Sequence, residues 1–363
     1  MANFLDRVVG LFREERASAP VPPTRMSTTV VTPEKAMTLT PVYRATQILA
    51  TPISKMAIQT MRFAGGMEQV IDNPLLVNKP SLTDTRRNFL FSTVADLAVH
   101  GNAYWLKSFN NNGTTVNNLE ALAAKSMIVQ QLDSGAIVYD YSNAQGVTKR
   151  YSSNQIEHIK LFPRAGNLLG ASPIDVCKDD IKAALDLRDY ASNWFAQGGV
   201  PTGVLKTNMN ITPDDAETVR NRWLAAQRDR TLAVVGQGWD YAHTQLSPSE
   251  ALFTDVQNQM VQSIARLYGI PARLLLTAVD GSSDTYTNLQ DEDMVFIRYT
   301  LLGYLDVLED AFSNCLPRGT RIKFDYESLF RADTQTRYNY YKTGIDAQFL
   351  TPEYVQNKEG INA

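Results

Sequence analysis

The chain has 363 residues, of which 44% are hydrophobic and 20% charged, and a formal net charge of −3. This composition excludes global disorder, and the length predicts two or three substructures rather than one core. The slightly acidic balance argues against a protein that grips nucleic acid over its whole surface, though not against one that lets nucleic acid slide past.

The opening stretch MANFLDRVVGLFREERA places Phe4, Leu5, Val8, Val9 and Phe12 at helical spacing among charges. A signal peptide needs an unbroken apolar block, so a short amphipathic helix docking on its own protein is favoured over a membrane-surface anchor. No apolar run approaches the roughly 20 residues of a membrane helix. Ala17 to Thr40 is rich in Pro, Ser and Thr and reads as an extended arm, so 1–40 is an amphipathic segment plus a flexible arm. A helix begins at Thr40-Pro41 with Val42, Ala45 and Leu49 on one face, and Pro52 kinks or ends it. Another runs from about Asp84 to His100, with Leu90, Val94 and Leu97 inward and Gly101 as its C-terminal cap.

The period then changes. Ser126–Gln131, Ala136–Tyr141, Thr148–Tyr151 and Ile156–Leu161 are β-branched or aromatic runs separated by turns, which predicts a small antiparallel sheet. Next come SPID (Ser172–Asp175), TPDD (Thr212–Asp215) and SPSE (Ser247–Glu250). Each supplies a capping hydroxyl, a proline at the first helical position and an acid near the cap. The first starts a helix to Gln197, striped by Cys177, Ile181, Ala184, Ala191 and Trp194. Its length of roughly 25 residues makes a rod of about 37 Å. The second helix is short, Pro213 to about Gln227, between strand-like PTGVLKTN and TLAVVGQGWDYAHTQL. The third runs from Pro248 to Tyr268 with Leu252, Val256, Met260 and Ile264 in register, capped by Gly269 and stopped by Pro271. A polar, glycine-tipped loop follows. Then comes a long helix from Leu289 to about Asn314, with Met294, Ile297, Leu301, Leu305, Leu308 and Phe312 aligned. RIKFDYESLF is a strand, and Arg331–Ala363 is a small helical segment.

Catalytic signals are weak. Neither Gly166–Gly170 nor GGVPTG carries the Lys-Ser/Thr of a nucleotide-binding loop, and GASPI lacks the second glycine of a nucleophile elbow. The triplet Asp291-Glu292-Asp293 is better explained by a helix N-terminus than by a nuclease metal site. Asp179-Asp180, among Lys178 and Lys182, reads as a solvated or intersubunit mid-helix face, and His158 as a structural histidine. Cys177 and Cys315 form no C-x-x-C pair, and the three histidines are too scattered for a zinc set; no metal and no cofactor is expected. Arg220, Arg222, Arg228 and Arg230 cluster around the short helix, where a phosphate patch and a subunit or protein-partner contact both remain open. Trp194, Trp223 and Trp239 are spaced as core or interface residues, not as a ladder for single strands.

The order of these elements resembles the portal proteins of tailed bacteriophages, and within them the HK97-type family. The likeness is carried by VYRATQILATPISKM (Val42–Met56), NPLLVNKPS (Asn73–Ser81), HGNAYWL (His100–Leu106), GASPID (Gly170–Asp175) and YASNWFAQGGVPTGVL (Tyr190–Leu205). It continues in MVQSIARLYGIPARLL (Met260–Leu275), YTNLQDEDMVFIRYTLLGYLDVLEDAF (Tyr286–Phe312) and FLTPEYVQNKEGI (Phe349–Ile361). The resemblance implies an α+β portal fold: a wing over 41–170 closed by 321–329, stem helices at 171–198 and 247–269, and a strand–helix–strand clip at 199–246. A tunnel-loop region at 270–287, a long wing helix at 288–316 and a short crown at 331–363 complete it. It further implies a ring of usually twelve copies at one capsid vertex, assembled in the host cytoplasm and conducting double-stranded DNA during packaging and ejection. The implied partners are the terminase large subunit that powers packaging, the major capsid protein and a head–tail adaptor, with no membrane. The tunnel loop would be Val279, Asp280, Gly281, Ser282, Ser283, Asp284, Thr285 and Tyr286. Motor-docking candidates are Arg220, Arg222, Trp223, Arg228 and Arg230. Trp194, Phe195, Gly198, Gly199 and Pro201 would form the stem–clip junction. A ring-forming head–tail adaptor and a metal-dependent nuclease or hydrolase are the competing readings.

Overall fold

A computed structural model describes residues 30–64, 66–196, 203–207, 212–228, 239–243, 253–275, 292–326, 334–359 and 361. Thr32 accepts the Lys35 amide at 3.2 Å and Pro33 follows it, so helix α1 (Pro33–Ala36) forms inside the stretch expected to be an extended arm. Helical structure therefore begins before Thr40. Helix α2 (Thr40–Lys55) buries Val42, Ala45, Leu49 and Ile53; Pro52 removes one amide donor, yet the helix persists three residues further because Ile53 and Ser54 are held in the core. A hairpin of β1 (Ile58–Ala64) and β2 (Met67–Ile71), not expected from the sequence, leads through α3 (Leu75–Asn78) to α4 (Arg86–His100). Thr85 caps α4 by accepting the Asn88 amide, and Gly101, at φ 67°, closes it as expected.

Strands β3 (Asn102–Phe109), β4 (Val116–Leu122), β5 (Met127–Gln131), β6 (Ile137–Ser142), β7 (Thr148–Ser152) and β8 (Ile156–Lys160) come next. They form two antiparallel sheets rather than one, in the orders β4-β3-β8 and β5-β6-β7. The sequence had grouped β8 with the second. The reason for the difference lies on its two faces: Ile159 is in the main core, while Ile156 packs with Tyr104, Leu122, Tyr139 and Tyr151 in a second cluster. An outer strand of the β5–β7 sheet would bury only one of those faces.

The long rod expected from Ser172 is broken. Helix α5 (Pro173–Val176) ends at Cys177, which adopts φ −107° and ψ 32°, and the Cys177 carbonyl accepts the Ile181 amide at 3.1 Å to open α6 (Lys178–Ala196). Asp179 and Asp180 thereby occupy a first turn, where carboxylates face the positive end of the helix, not a mid-helix face. The 19 residues of α6 span about 28 Å. Strand β9 (Gly203–Thr207), helix α7 (Pro213–Arg228) and strand β10 (Trp239–His243) follow, with β9 and β10 paired antiparallel. Helix α8 (Phe253–Tyr268) packs on α6 and ends at Gly269, φ 62°; its expected start at Ser247-Pro248 lies outside the described residues.

After a 3₁₀ turn, Ala272–Leu275, the described chain resumes as a helix at 292–296, passes through a π turn, Ile297–Leu301, and becomes α9 (Leu302–Cys315). A π turn inserts one extra residue and rotates everything before it by about 100°. Phe296 is therefore buried, while Met294, expected inward, is 42% exposed. Strand β11 (Thr320–Phe324) pairs with β1 on the side away from β2 and stops at Phe324, short of the expected Leu329. Helices α10 (Thr334–Asp346) and α11 (Pro352–Glu359) complete the chain. The main core gathers α2, α4, β3, α6, α8 and α9 around Trp105, whose ring centroid lies 5.0 Å from Phe89 and 4.7 Å from Phe312. The Trp105 indole N–H donates to Thr93 Oγ1 at 2.9 Å, so its own buried donor is satisfied.

Candidate functional site

Two of the singled-out motifs, HGN at 100–102 and GAS at 170–172, are opposite sides of one joint. The backbones cross so closely that a Cβ on Gly101 would lie 2.3 Å from the Ala171 carbonyl oxygen, and one on Gly170 would lie 2.4 Å from that of Gly101. The Leu161 amide donates to Gly101 and the Ala171 amide to Leu161, stitching the crossing to the end of β8. Asn102 completes it: Oδ1 accepts the Gly170 amide at 2.7 Å and His158 Nε2 at 3.0 Å, while Nδ2 donates to the His100 and Gly170 carbonyls. Ser172 Oγ donates to the Val99 carbonyl at 2.9 Å and accepts the Asp175 amide, so the same residue fixes the joint and starts α5. Burial first, and the Lys160 charge second, push the His158 pKa down to about 3, so the ring is neutral.

At the far end of α8 a second fixture joins two segments distant in sequence. Arg273 reaches back to the first turn before the π segment, donating from Nε to Glu292 at 2.8 Å and from Nη2 to Asp293 at 2.5 Å. Thr300, inside the π turn, donates to the Gly269 carbonyl at 2.6 Å, and a Cβ on Gly269 would lie 2.5 Å from that hydroxyl. The two feet of segment 276–291 are thereby tied together. Asp280, Asp284, Asp291, Glu292 and Asp293 lie between Arg273 and Arg298 with no Lys or Arg among them. Glu292 and Asp293 lie at the beginning of the described helical stretch, its expected start at Leu289 being outside the described residues, and their guanidinium partner was not foreseen. The signal available was that Arg273 is the last cation before that acidic run.

The third region is the β9–α7–β10 unit inserted between α6 and α8. Thr212 caps α7 by accepting the Asp215 amide and donating to its carboxylate at 2.7 Å, so the hydroxyl–proline–acid signal works as expected. Arg220 and Arg222 are exposed and Trp223 is half-buried; Arg228 is the last residue of α7. Trp194 and Phe195 lie in the last turn of α6. Gly198, Gly199, Pro201, Arg230 and the whole stretch Val279–Tyr286 are outside the described residues. Among the described residues no group of three or more His, Cys, Asp and Glu side chains is placed to hold a metal ion, and no helix is long and apolar enough to cross a membrane.

Comparison with known proteins finds the same organisation elsewhere. The family model described as phage portal protein matches residues 40–360. A probable portal protein of Streptomyces phage phiC31 is 24% identical over 352 residues, covering 91% of this chain and 76% of that protein. An HK97-family phage portal protein from Corynebacterium diphtheriae superposes with a TM-score of 0.62 at 17% identity, over 84% of this chain and 99% of that one. A chain from the neck of a native gene transfer agent particle, computed with C12 symmetry, gives 0.61 at 18% identity, over 89% and 90%. The two solved structures share the α+β fold described above.

Proposed function

The chain belongs to the phage portal protein family, and from that premise we propose that it closes into a ring, with twelve copies, at one vertex of a phage capsid. The ring conducts double-stranded DNA during packaging and ejection, after assembly in the host cytoplasm. Its partners are copies of itself, the capsid shell, the ATPase motor during filling, and then the head–tail adaptor. In this reading α5, α6 and α8 are the stem, β9–α7–β10 is the clip, α9 with its π turn is the wing helix, and α10 and α11 are a short crown. Residues 41–170, with β11, form the wing. The motor-facing candidates on the clip are Arg220, Arg222, Trp223, Arg228 and Arg230, and the 194–201 junction leads into it.

The observation that carries this reading is the excursion between two paired helices. α6 and α8 pack together, each burying residues in the main core (Ile181, Ala184 and Leu185 on one, Ile264, Ala265 and Tyr268 on the other), and the chain between them builds a strand–helix–strand unit. A head–tail adaptor lacking a tunnel loop has no need for that excursion. The test is negative-stain electron microscopy of the purified chain, which should show rings with a central hole wide enough for duplex DNA. Metal-dependent cleavage of DNA by a ringless chain would instead favour a nuclease.

The same reading assigns a job to the acidic run. A channel must guide a stiff polyanion without holding it, and each bound phosphate adds salt-dependent affinity. Val279–Tyr286 acts as a steric collar with weak repulsion from Asp280 and Asp284. Replacing both with Asn is expected to raise DNA retention by about twofold or more at low salt. Unchanged packaging and retention in that variant would remove the electrostatic part of the assignment.

A further inference from the structure

Helix α7 is poorly covered. Ala216, Val219 and Trp223 form a half-buried inward stripe, and every other described side chain from Pro213 to Ala225 is exposed. Among the described residues the sheet of the same unit has two strands, β9 and β10, and a two-stranded sheet with one helix is marginal in water without further cover. The exposed charges are sorted along the axis: Asp214, Asp215 and Glu217 at the front, Arg220 and Arg222 behind. Among the described residues, Asp214, Glu217, Arg220 and Arg222 form no ion pair within the chain. Eight residues of rise separate Asp214 from Arg222 by about 12 Å, so both signs are presented on one short rod.

A closed ring uses heterologous contacts, in which one patch of each copy meets a different patch of the next. A helix negative at its front and positive at its back is complementary to another copy of itself in that arrangement and in no need of a different partner. We propose that α7 is a subunit–subunit contact in which Arg222, on one flank of the helix, pairs with Glu217 on the opposite flank of the next copy. The inference rests on the ring reading and narrows it: of the four arginines available for motor docking, Arg222 is taken up by the neighbouring copy. Asp215 is left out of the pairing because its carboxylate already accepts the Thr212 hydroxyl.

The test uses the full chain and two opposite charge variants. Arg220→Glu with Arg222→Glu makes positions 214, 217, 220 and 222 all acidic; Asp214→Lys with Glu217→Lys makes those four positions all basic. Each alone should lose ring particles at least about tenfold at about 50 mM salt, measured by mass photometry, because every contact becomes like-charged. An equimolar mixture should restore rings, since acidic and basic copies can alternate. Rings from the all-acidic variant alone, or no recovery in the mixture while both variants keep native circular dichroism, would overturn the proposal. Intact rings that lose only motor binding would overturn it in favour of a motor contact. The milder Arg220→Gln, Arg222→Gln variant guards against misfolding. Its assembly should lose the salt sensitivity of the unaltered ring, and identical sensitivity would count against the pairing. Failure of the unaltered chain to form any ring sinks the portal reading itself, before a variant is made.

Discussion

Gly101→Ala and Gly170→Ala are each expected to destabilise the fold by about 3–5 kcal/mol, enough to leave little soluble native chain. At Gly101 two penalties add. Its φ of 67° is left-handed, which costs an L-residue about 1–2 kcal/mol, and the new methyl would lie 2.3 Å from the Ala171 oxygen, backbone on backbone. No side chain can rotate away there. Gly170 carries no left-handed strain, so its whole cost is overlap with the Gly101 and Leu161 oxygens, at 2.4 and 2.5 Å. Relief would need the crossing to open, breaking the hydrogen bonds from Leu161 to Gly101 and from Gly170 to Asn102. Gly135→Ala is the matched control: φ is 80° but nothing lies within 4 Å of the new methyl, so it should cost only the conformational part, about 1–2 kcal/mol. Urea denaturation of the three variants separates these contributions. Equal losses at Gly135 and Gly101 would show that backbone conformation alone, and not the crossing, sets the price.

That joint shows what a sequence can and cannot convey. Gly101 was readable as a helix cap because the signal is local: an apolar period ends and a glycine follows. Its second role, passing under Gly170, depends on a residue 69 positions away, and nothing in either tripeptide names the other. Two of the three hydroxyl–proline–acid starts were legible for the same local reason: Ser172 and Thr212 cap as expected, although Ser172 also ties back to Val99, while the one at Ser247 lies outside the described residues. The break at Cys177 was missed because no Gly or Pro marks it; the adjacent Asp179-Asp180 was the available sign, read as a face instead of a first turn. The π turn shifted Met294 outward for a comparable reason, since a one-residue insertion leaves the apolar spacing on each side intact. Strand runs were visible, but the partner of β8 was decided by burial on both its faces, which period alone does not encode. Of the candidate functional residues, those on α6 and α7 fall on the helices expected, whereas the Arg273 fixture emerged only when two segments 19 residues apart were brought together.

Acid should weaken this fold through His158, and replacing it with Gln should remove that sensitivity. The Asn102 amide is oriented by its two carbonyl acceptors, so its Oδ1 must accept, which places the proton of His158 on Nε2. Nδ1 then faces the Tyr139 hydroxyl at 3.4 Å as an acceptor. A second proton would have to enter a site walled by Tyr104 and Tyr139 and close to the Lys160 charge, which is why the folded pKa falls to about 3. The unfolded chain takes up that proton near pH 6.5, so between about 6.5 and 3 the unfolded state binds more protons. The stability is therefore fully present above about pH 6.5 and lost as pH falls toward 3, by roughly 1.4 kcal/mol at pH 5.5 and 2.7 kcal/mol at pH 4.5. Asp96 and Glu309 act in the opposite sense, because burial raises both their pKa values in the folded chain. The informative quantity is accordingly the difference between the unaltered chain and His158→Gln, in which those contributions cancel. Gln keeps a donor for Asn102 but takes up no proton. Urea midpoints measured from pH 7 to 4.5 should fall more steeply for the unaltered chain, the gap closing with acid. Parallel curves would mean that the ring is not held neutral by this joint, and that the crossing tolerates the added charge.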